Sequence, residues 1–351
     1  MTVPNVFANG VGNYPDATKF NANFDYLEVL ARKNRLINGN FAINQRQATS
    51  VADDAYCLDR WYVLTETGNV TVAQMTDVES GTPTSIKLTQ PDATPKRIGL
   101  AQIMESINCR DLQGAAVQFS GKLKCSLSQP IRFAIVGNSG SADVQTSDLV
   151  GNWSSTNYSN NNFFQAATWP YGVGTIIPTA ATWTNFSVTA TLGSTNNFSV
   201  FVWTEGTLAQ NGTLELARMA FKSGTEIVHG QSHMHFDIAS ELVACQRYYE
   251  KSYNQGTAPG TASTTSGSIY FRANGTNHIE PISFKVNKRS TPTVTLYNAN
   301  SGSSGSWRDY SGASDKTVTG TYIGESGMHV SVTSSVDGNA IGGHYVAEIE
   351  I

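Results

Sequence analysis

Three aromatic residues, Trp153, Trp169 and Tyr171, fall within a long polar run, GNSGSADVQTSDLVGNWSSTNYSNNNFFQAATWPYGVG, residues 137–174. An indole or phenol ring offers an apolar face to the C–H face of a pyranose, and Asn and Ser side chains can bond the sugar hydroxyls. The three rings are therefore the expected sugar platform. The competing reading is that they fill a small core of the run itself. Trp307 and Tyr310, in NANSGSSGSWRDYSGASD, form a second candidate patch. Glycoside hydrolysis needs two carboxyl groups about 5 to 10 Å apart in a groove. Asp53, Asp54, Asp309, Asp315 and Glu325 all sit in loop-like contexts, and no G-x-S-x-G, H-E-x-x-H or P-loop pattern occurs. The expectation is a binding protein rather than an enzyme. His229, His233 and His235 include an H-x-H pair. Imidazoles suit first-row transition metals, but this spacing alone is weak evidence. A solvated polar hinge is expected, with no metal and no cofactor.

The bulk composition narrows the setting. Charged residues make up 14% of the chain, against about 25% in an ordinary globular domain. The polar surface must then come from Ser, Thr, Asn and Gly, which suits sugar-facing β-proteins. A net charge of −4 gives no general attraction to nucleic acid. Cys57, Cys109, Cys125 and Cys245 form no C-x-x-C pair, so buried reduced thiols are expected rather than a zinc cage. The start, MTVPNVFANGVGNYPDATKF, lacks the basic and apolar regions of a signal peptide, and no run of 18 apolar residues occurs. A soluble chain without membrane insertion is expected, made in a cytoplasm.

The elements that must carry these residues are mostly strands. Val117, Phe119, Gly121, Leu123 and Cys125 alternate with polar residues, as do Phe186, Val188, Ala190 and Leu192, then Phe198, Val200 and Val202. Strict alternation argues for antiparallel strands with one buried face. Many such strands joined by Gly/Asn/Ser turns predict a mainly β chain with a jelly-roll sandwich over 36–228. The last stretch, 265–351, predicts a second β-sandwich domain. Two helices are expected. In the first, Phe20, Phe24, Leu27 and Ala31 form an a/d stripe of about two heptads, which favours a short oligomeric bundle within an N-terminal arm, 1–35. The second spans 240–253 in a linker, 229–264. It is capped by Ser240 and presents Leu242, Cys245, Tyr249 and Tyr253 on one face as a spacer between the β-domains. Asp59, Arg60 and Trp61 read as structural: a carboxylate–guanidinium pair stacked on a ring, fixing the entry of the first strand.

LINGNFAINQRQ followed by YCLDRWYV resembles the opening of a domain common in bacteriophage tail fibre and tail appendage proteins. The matching residues are Asn38, Gly39, Asn40, Phe41, Gln45, Arg46, Asp59, Arg60 and Trp61. RIGLAQIMESINCRDLQGAAVQFSGKLKCS, TWTNFSVTATLG, LELARMAFKSGTE and ELVACQRYYEKSY look like later segments of that family, in order, so the resemblance covers about 36–254. KRSTPTVTLYN and GHYVAEIEI are similar, less specifically, to the ends of such fibre proteins. The resemblance implies a carbohydrate-binding-module-like jelly roll in a virion protein, a homotrimer, and an N-terminal arm held by other tail or baseplate proteins. It implies adsorption to host surface polysaccharide, with the C-terminal domain as the receptor-binding tip. The stretch 137–180 matches no part of the family pattern. A structural virion protein that binds no sugar, or a capsule-degrading enzyme, are the other readings.

Overall fold

The computed structural model describes residues 34–79, 82–153, 158, 162–224, 237–265, 267–333 and 335–351. The stripe Phe20, Phe24, Leu27 and Ala31 and the histidines His229, His233 and His235 lie outside the described residues. The chain is mainly β. Its first eleven strands are β1 (Ser50–Ala52), β2 (Tyr62–Thr65), β3 (Asn69–Glu79), β4 (Thr82–Thr89), β5 (Ile98–Ile103), β6 (Ala116–Cys125), β7 (Ile131–Asn138), β8 (Thr168–Ile176), β9 (Thr184–Thr191), β10 (Asn197–Thr204) and β11 (Thr213–Ser223). They form two antiparallel sheets, one ordered β1-β3-β4-β11-β6-β9 and one ordered β2-β5-β10-β7-β8.

Alternation places the core between these sheets. Val117, Phe119 and Leu123 of β6 meet Ile131, Phe133 and Ile135 of β7 and Phe198, Val200 and Val202 of β10 in one buried cluster. The second sheet is apolar on both faces, however. Phe201 and Trp203 of β10 point away from the sandwich into a separate cluster with Tyr62, Leu64, Leu149, Val150, Phe163 and Phe164. The polar run between β7 and β8 thus covers the outer face of this sheet. Its rings lock onto Trp203, which stacks on Phe201 at 4.5 Å and on Phe163 at 5.2 Å. A strand covered on both sides reads as a continuous apolar stretch, and all eight residues of β10 are buried. All four cysteines are free and buried.

A helix, α1 (Ile238–Gln246), leads into the second half. It is shorter than the predicted 240–253, because the chain turns to strand β12 (Tyr249–Lys251) within the tyrosine run. Aromatic residues fit a half-buried strand as well as a helix, and here the ladder to the C-terminus decides. The N-cap is Asp237 rather than Ser240. Its carboxylate accepts from the Ala239 N–H at 3.1 Å and from the Ser240 hydroxyl at 2.5 Å. There follow β13 (Ile269–Arg272), β14 (Asn277–Ser283), β15 (Thr293–Asn298), β16 (Ser306–Asp309), β17 (Ser314–Thr321), β18 (Gly327–Thr333) and β19 (Ala340–Glu348). β19 is the central strand, pairing β12 and β13 on one edge and β15 and β16 on the other. The sheet runs on through β17, β18 and β14 and curls around Phe284, Trp307, Val318, Val330, Val332, Ile341 and Tyr345.

The two halves are joined by the residues of the quoted motifs. Asn38 holds a left-handed backbone, φ 58°, and its side chain bonds the Ile43 N–H and C=O and the Asp59 carbonyl. Gly39 follows because a Cβ there would stand 2.3 Å from the Met219 carbonyl oxygen. Trp61 donates its indole N–H to the Asn38 carbonyl at 3.0 Å and packs on Phe41. Asp59, fully buried, accepts from the Gln45 backbone and side-chain amides. Arg60 turns away from Asp59. It pairs with Glu350 beyond β19, donates to the Ile103 carbonyl, and lies 3.7 Å over the Tyr248 ring. The expected Asp59–Arg60 pair over Trp61 is therefore corrected: the three side chains take three separate partners. Arg46 bonds both Glu348 and Glu350 and covers Tyr249 at 4.1 Å. Glu105 accepts from Arg247 at 2.7 and 3.1 Å and from the Tyr248 hydroxyl at 2.7 Å. Charges this buried persist only when paired and hydrogen-bonded, so the junction has a specific geometry.

Candidate functional site

The expected platform of Trp153, Trp169 and Tyr171 is not assembled. Trp153 stands edge-on to Phe163 at 5.8 Å and to Phe201 at 6.2 Å, as part of the cluster on the outer face of the second sheet. Tyr171 and Trp169 belong to the sandwich side. Tyr171 sits at a register shift of β8 opposite Ile135 and Val136 and packs against Phe198, filling space that a Cβ on Gly137 or Gly193 would occupy. Trp169 pairs with Gly137 at the sheet rim and is 49% exposed. Of the three, Trp169 alone is an exposed residue.

Trp307 is fully buried. Its indole lies flat against Gly343, where a Cβ would come within 2.2 Å of Cδ1, and its N–H points to the His344 carbonyl at 3.3 Å. It is a core residue and is withdrawn from the patch with Tyr310. The reason is alternation: positions 307 and 310 have opposite parity on one extended stretch, so one faces in and the other out.

Tyr310 does stand on an outward face, with partners that the sequence reading did not name. Tyr270 of β13, Gly342 of β19, Arg308 of β16 and Asp315 of β17 are consecutive ladder partners, so their side chains share one side of the sheet. Tyr270 lies across Gly342, whose Cβ would meet Cδ1 at 2.9 Å, and it is 48% exposed. Its hydroxyl donates to the Thr264 carbonyl at 2.9 Å, fixing the ring. Tyr310 packs on it with centroids 5.0 Å apart and planes 33° apart. Burial and the neighbouring Tyr270 push the Tyr310 phenol well above its usual range, so it stays neutral. Arg308 and Asp315 are bonded at 3.0 Å beside the rings, and both are partly exposed. Arg272, on the same side of β13, donates to the Gly338 carbonyl at 2.8 Å. The result is a fixed aromatic floor next to a planar guanidinium and a carboxylate. Such a face can stack a sugar ring while the charged pair bonds its hydroxyls.

A second electrostatic feature lies at the first domain's edge. Burial, followed by the charges of Asp53 and Asp148, pushes the Asp54 carboxyl up to about 7. Among the described residues no group of three or more His, Cys, Asp or Glu side chains is arranged to hold a metal ion, and no helix is long and apolar enough to cross a membrane.

No family model matches the sequence, and no curated protein matches it. Among solved structures, the chain is similar to TmCBM61 in complex with β-1,4-galactotriose, at 12% identity and a TM-score of 0.33 over 55% of this chain and 99% of that one. It is similar to a putative sugar-binding protein from Bacteroides thetaiotaomicron, at 14% identity and 0.35 over 55% and 100%. It is also similar to the enzymatically active domain of bacteriophage CBA120 tailspike protein 4, at 13% identity and 0.32 over 54% and 21%.

Proposed function

We propose that the chain is a bacteriophage tail fibre subunit that attaches to host surface polysaccharide, with the tyrosine face of the C-terminal domain as its sugar contact. The observation that carries this reading is Tyr270 held flat over Gly342, beside Tyr310 and the Arg308–Asp315 pair. The ring floor is fixed by the Thr264 bond before any ligand arrives, so little side-chain entropy is lost on binding. The motifs NGNF, DRW and CQRYYEKSY, which resemble those of tail fibre and appendage proteins, support the virion setting. The chemistry is adsorption rather than reaction. In a homotrimer the face is present three times, and weak single contacts gain strength through effective concentration. The arm, 1–35, with Phe20, Phe24, Leu27 and Ala31, holds the subunit to other tail or baseplate proteins.

The test is binding of the full chain to an array of bacterial surface polysaccharides, alongside Tyr270→Ala and Arg308→Ala. The wild type should bind a defined subset, and each variant should lose at least about tenfold while keeping its unfolding midpoint, stacking and charge-assisted contacts each being worth about 1–3 kcal/mol. Equal binding by wild type and variants would remove the tyrosine face as the sugar contact, and binding by neither would return the chain to a purely structural virion role.

A further inference from the structure

We infer that the tyrosine face selects an acidic glycan, one with a carboxylate on the stacked sugar, and that Arg272 reads that carboxylate. The inference rests on the proposed tyrosine face and names the class of sugar it takes. Ladder register sets the layout. Tyr270, Gly342 and Arg308 form one outward row across β13, β19 and β16. The next row holds Arg272 of β13, Ala340 of β19 and Tyr310, whose N–H donates to the Ala340 carbonyl at 2.9 Å. Each row has a ring on one side, a guanidinium on the other and a small residue between, with the order reversed from row to row. Tyr270 and Tyr310 meet across the middle, and the two guanidiniums stand at opposite corners.

The corners differ in what their arginines already hold. Arg308 is bonded to Asp315 at 3.0 Å and its side chain is 22% exposed. A carboxylate brought there would meet the like charge of Asp315. Arg272 is exposed and donates through Nη1 to the Gly338 carbonyl at 2.8 Å. Its other edge, formed by Nε and Nη2, has no protein partner among the described residues. Two other arginines of this half spend that same edge inside the protein. Arg247 places it on the Glu105 carboxylate, and Arg289 on the Ile349 and Glu350 carbonyls. Asp337, next to the Gly338 contact, accepts from the Gly275 N–H at 3.1 Å and forms no ion pair among the described residues.

The Nε–Nη2 edge matches a carboxylate. Two parallel N–H donors meet its two oxygens, and such bidentate, charge-assisted pairs are the strong ones. The bond to Gly338 holds the guanidinium in place beforehand, which lowers the entropy lost on binding. Position fits as well. Residues two apart on a strand lie about 7 Å apart on one face. A pyranose stacked on Tyr270 therefore brings a carboxylate at its rim within reach of Arg272. The side of the ring across Gly342 lies towards the Arg308–Asp315 pair, which can donate to and accept from hydroxyls. The ligand is given a direction: carboxylate towards Arg272, hydroxyls towards Asp315.

The test uses the full chain on an array of bacterial surface polysaccharides, each printed native and after reduction of its carboxylates to primary alcohols. The variants are Arg272→Ala, Arg272→Lys and Tyr270→Ala. The wild type should select uronate-bearing polymers and lose them by at least about tenfold on reduction, as a charge-assisted pair of bonds is removed. Arg272→Ala should keep its unfolding midpoint, bind the native polymers about tenfold more weakly, and bind native and reduced polymers equally. Arg272→Lys keeps the charge without the fork, so it should recover only part of the loss, and high salt should erase what it recovers. Equal weakening of Arg272→Ala on native and reduced polymers would make Arg272 a support for the Gly338 turn and overturn the inference. Wild-type binding that survives reduction, or that selects polymers charged by phosphate, would also overturn it, and would leave the tyrosine face standing where Tyr270→Ala still abolishes binding. Binding of no polymer, or binding that Tyr270→Ala leaves intact, would overturn the face and this inference together.

Discussion

At the scale of single residues, Gly342 and Gly343 decide what the last strand can carry. Adjacent strand residues face opposite ways, and each glycine leaves room for a ring: Tyr270 outside, Trp307 inside. Gly343→Val should therefore overpack the core and cost at least about 1–3 kcal/mol, read as a lowered midpoint in urea. Gly342→Ala would set its Cβ against the Ile269 carbonyl oxygen at 2.8 Å and the Tyr270 ring at 2.9 Å, so it should lower the urea midpoint and weaken glycan binding together. A second buried group is equally specific. Glu250 and Lys288, both fully buried, are bonded at 2.7 Å, and Glu250 also accepts from the Lys285 and Val286 amides and the Tyr345 hydroxyl. Lys288→Met would leave that carboxylate without its charge partner and should cost about 3–5 kcal/mol in the same urea experiment. Asp54 works in the opposite sense. Its folded value of about 7 lies above its ordinary 3.8, so the fold favours the protonated acid. Its presence weakens the fold progressively as pH rises from about 4 through 7. Asp54→Asn should raise the thermal midpoint at pH 8 and leave it unchanged below pH 4.

At the scale of elements, the strands of the first domain are legible because alternation there reports a single buried face. Val117, Phe119, Leu123, Phe186 and Val200 all point where their parity says. Reading fails where a strand is covered twice or where two structures share a pattern. The run 137–167 looks like a free polar loop, yet its rings are spent on Trp203 and Phe201, and no local pattern shows a distant sheet face awaiting cover. CQRYYEK carries helical spacing and strand-forming residues together, and the ladder of Tyr249 to Glu348 settles it. The proposed binding face was half legible: Tyr310 was found, but Tyr270 lies some forty residues away and meets it only through β19. The parity of 307 against 310 and the Gly-Gly pair were the available signals. The junction follows the same logic. Burial pushes the Glu105 carboxyl up, but the bonds from Arg247 and Tyr248 outweigh this and hold it below its ordinary 4.5. Its contribution is therefore present above about pH 4.5 and is lost as pH falls through the lower folded value. Glu105→Gln should flatten the fall in thermal midpoint between pH 5 and 3, followed by circular dichroism.

At the scale of the whole molecule, the N-terminal sandwich and the curled C-terminal sheet meet through Arg46, Arg60, Glu105, Arg247, Glu348 and Glu350. The motifs that resemble those of tail fibre proteins thus fix how one β-domain is carried on the other, and the proposed tyrosine face lies outside them. This division explains why the motifs alone do not specify a ligand. It also separates two kinds of variant: junction changes should alter stability first, and face changes should alter binding first. The most direct measurement is binding of the intact chain to an array of bacterial surface polysaccharides, wild type and Tyr270→Ala side by side. Selective binding by the wild type, lost by at least about tenfold in a variant with an unchanged midpoint, is the expected result. A variant that binds as tightly as the wild type would contradict the assignment of this face.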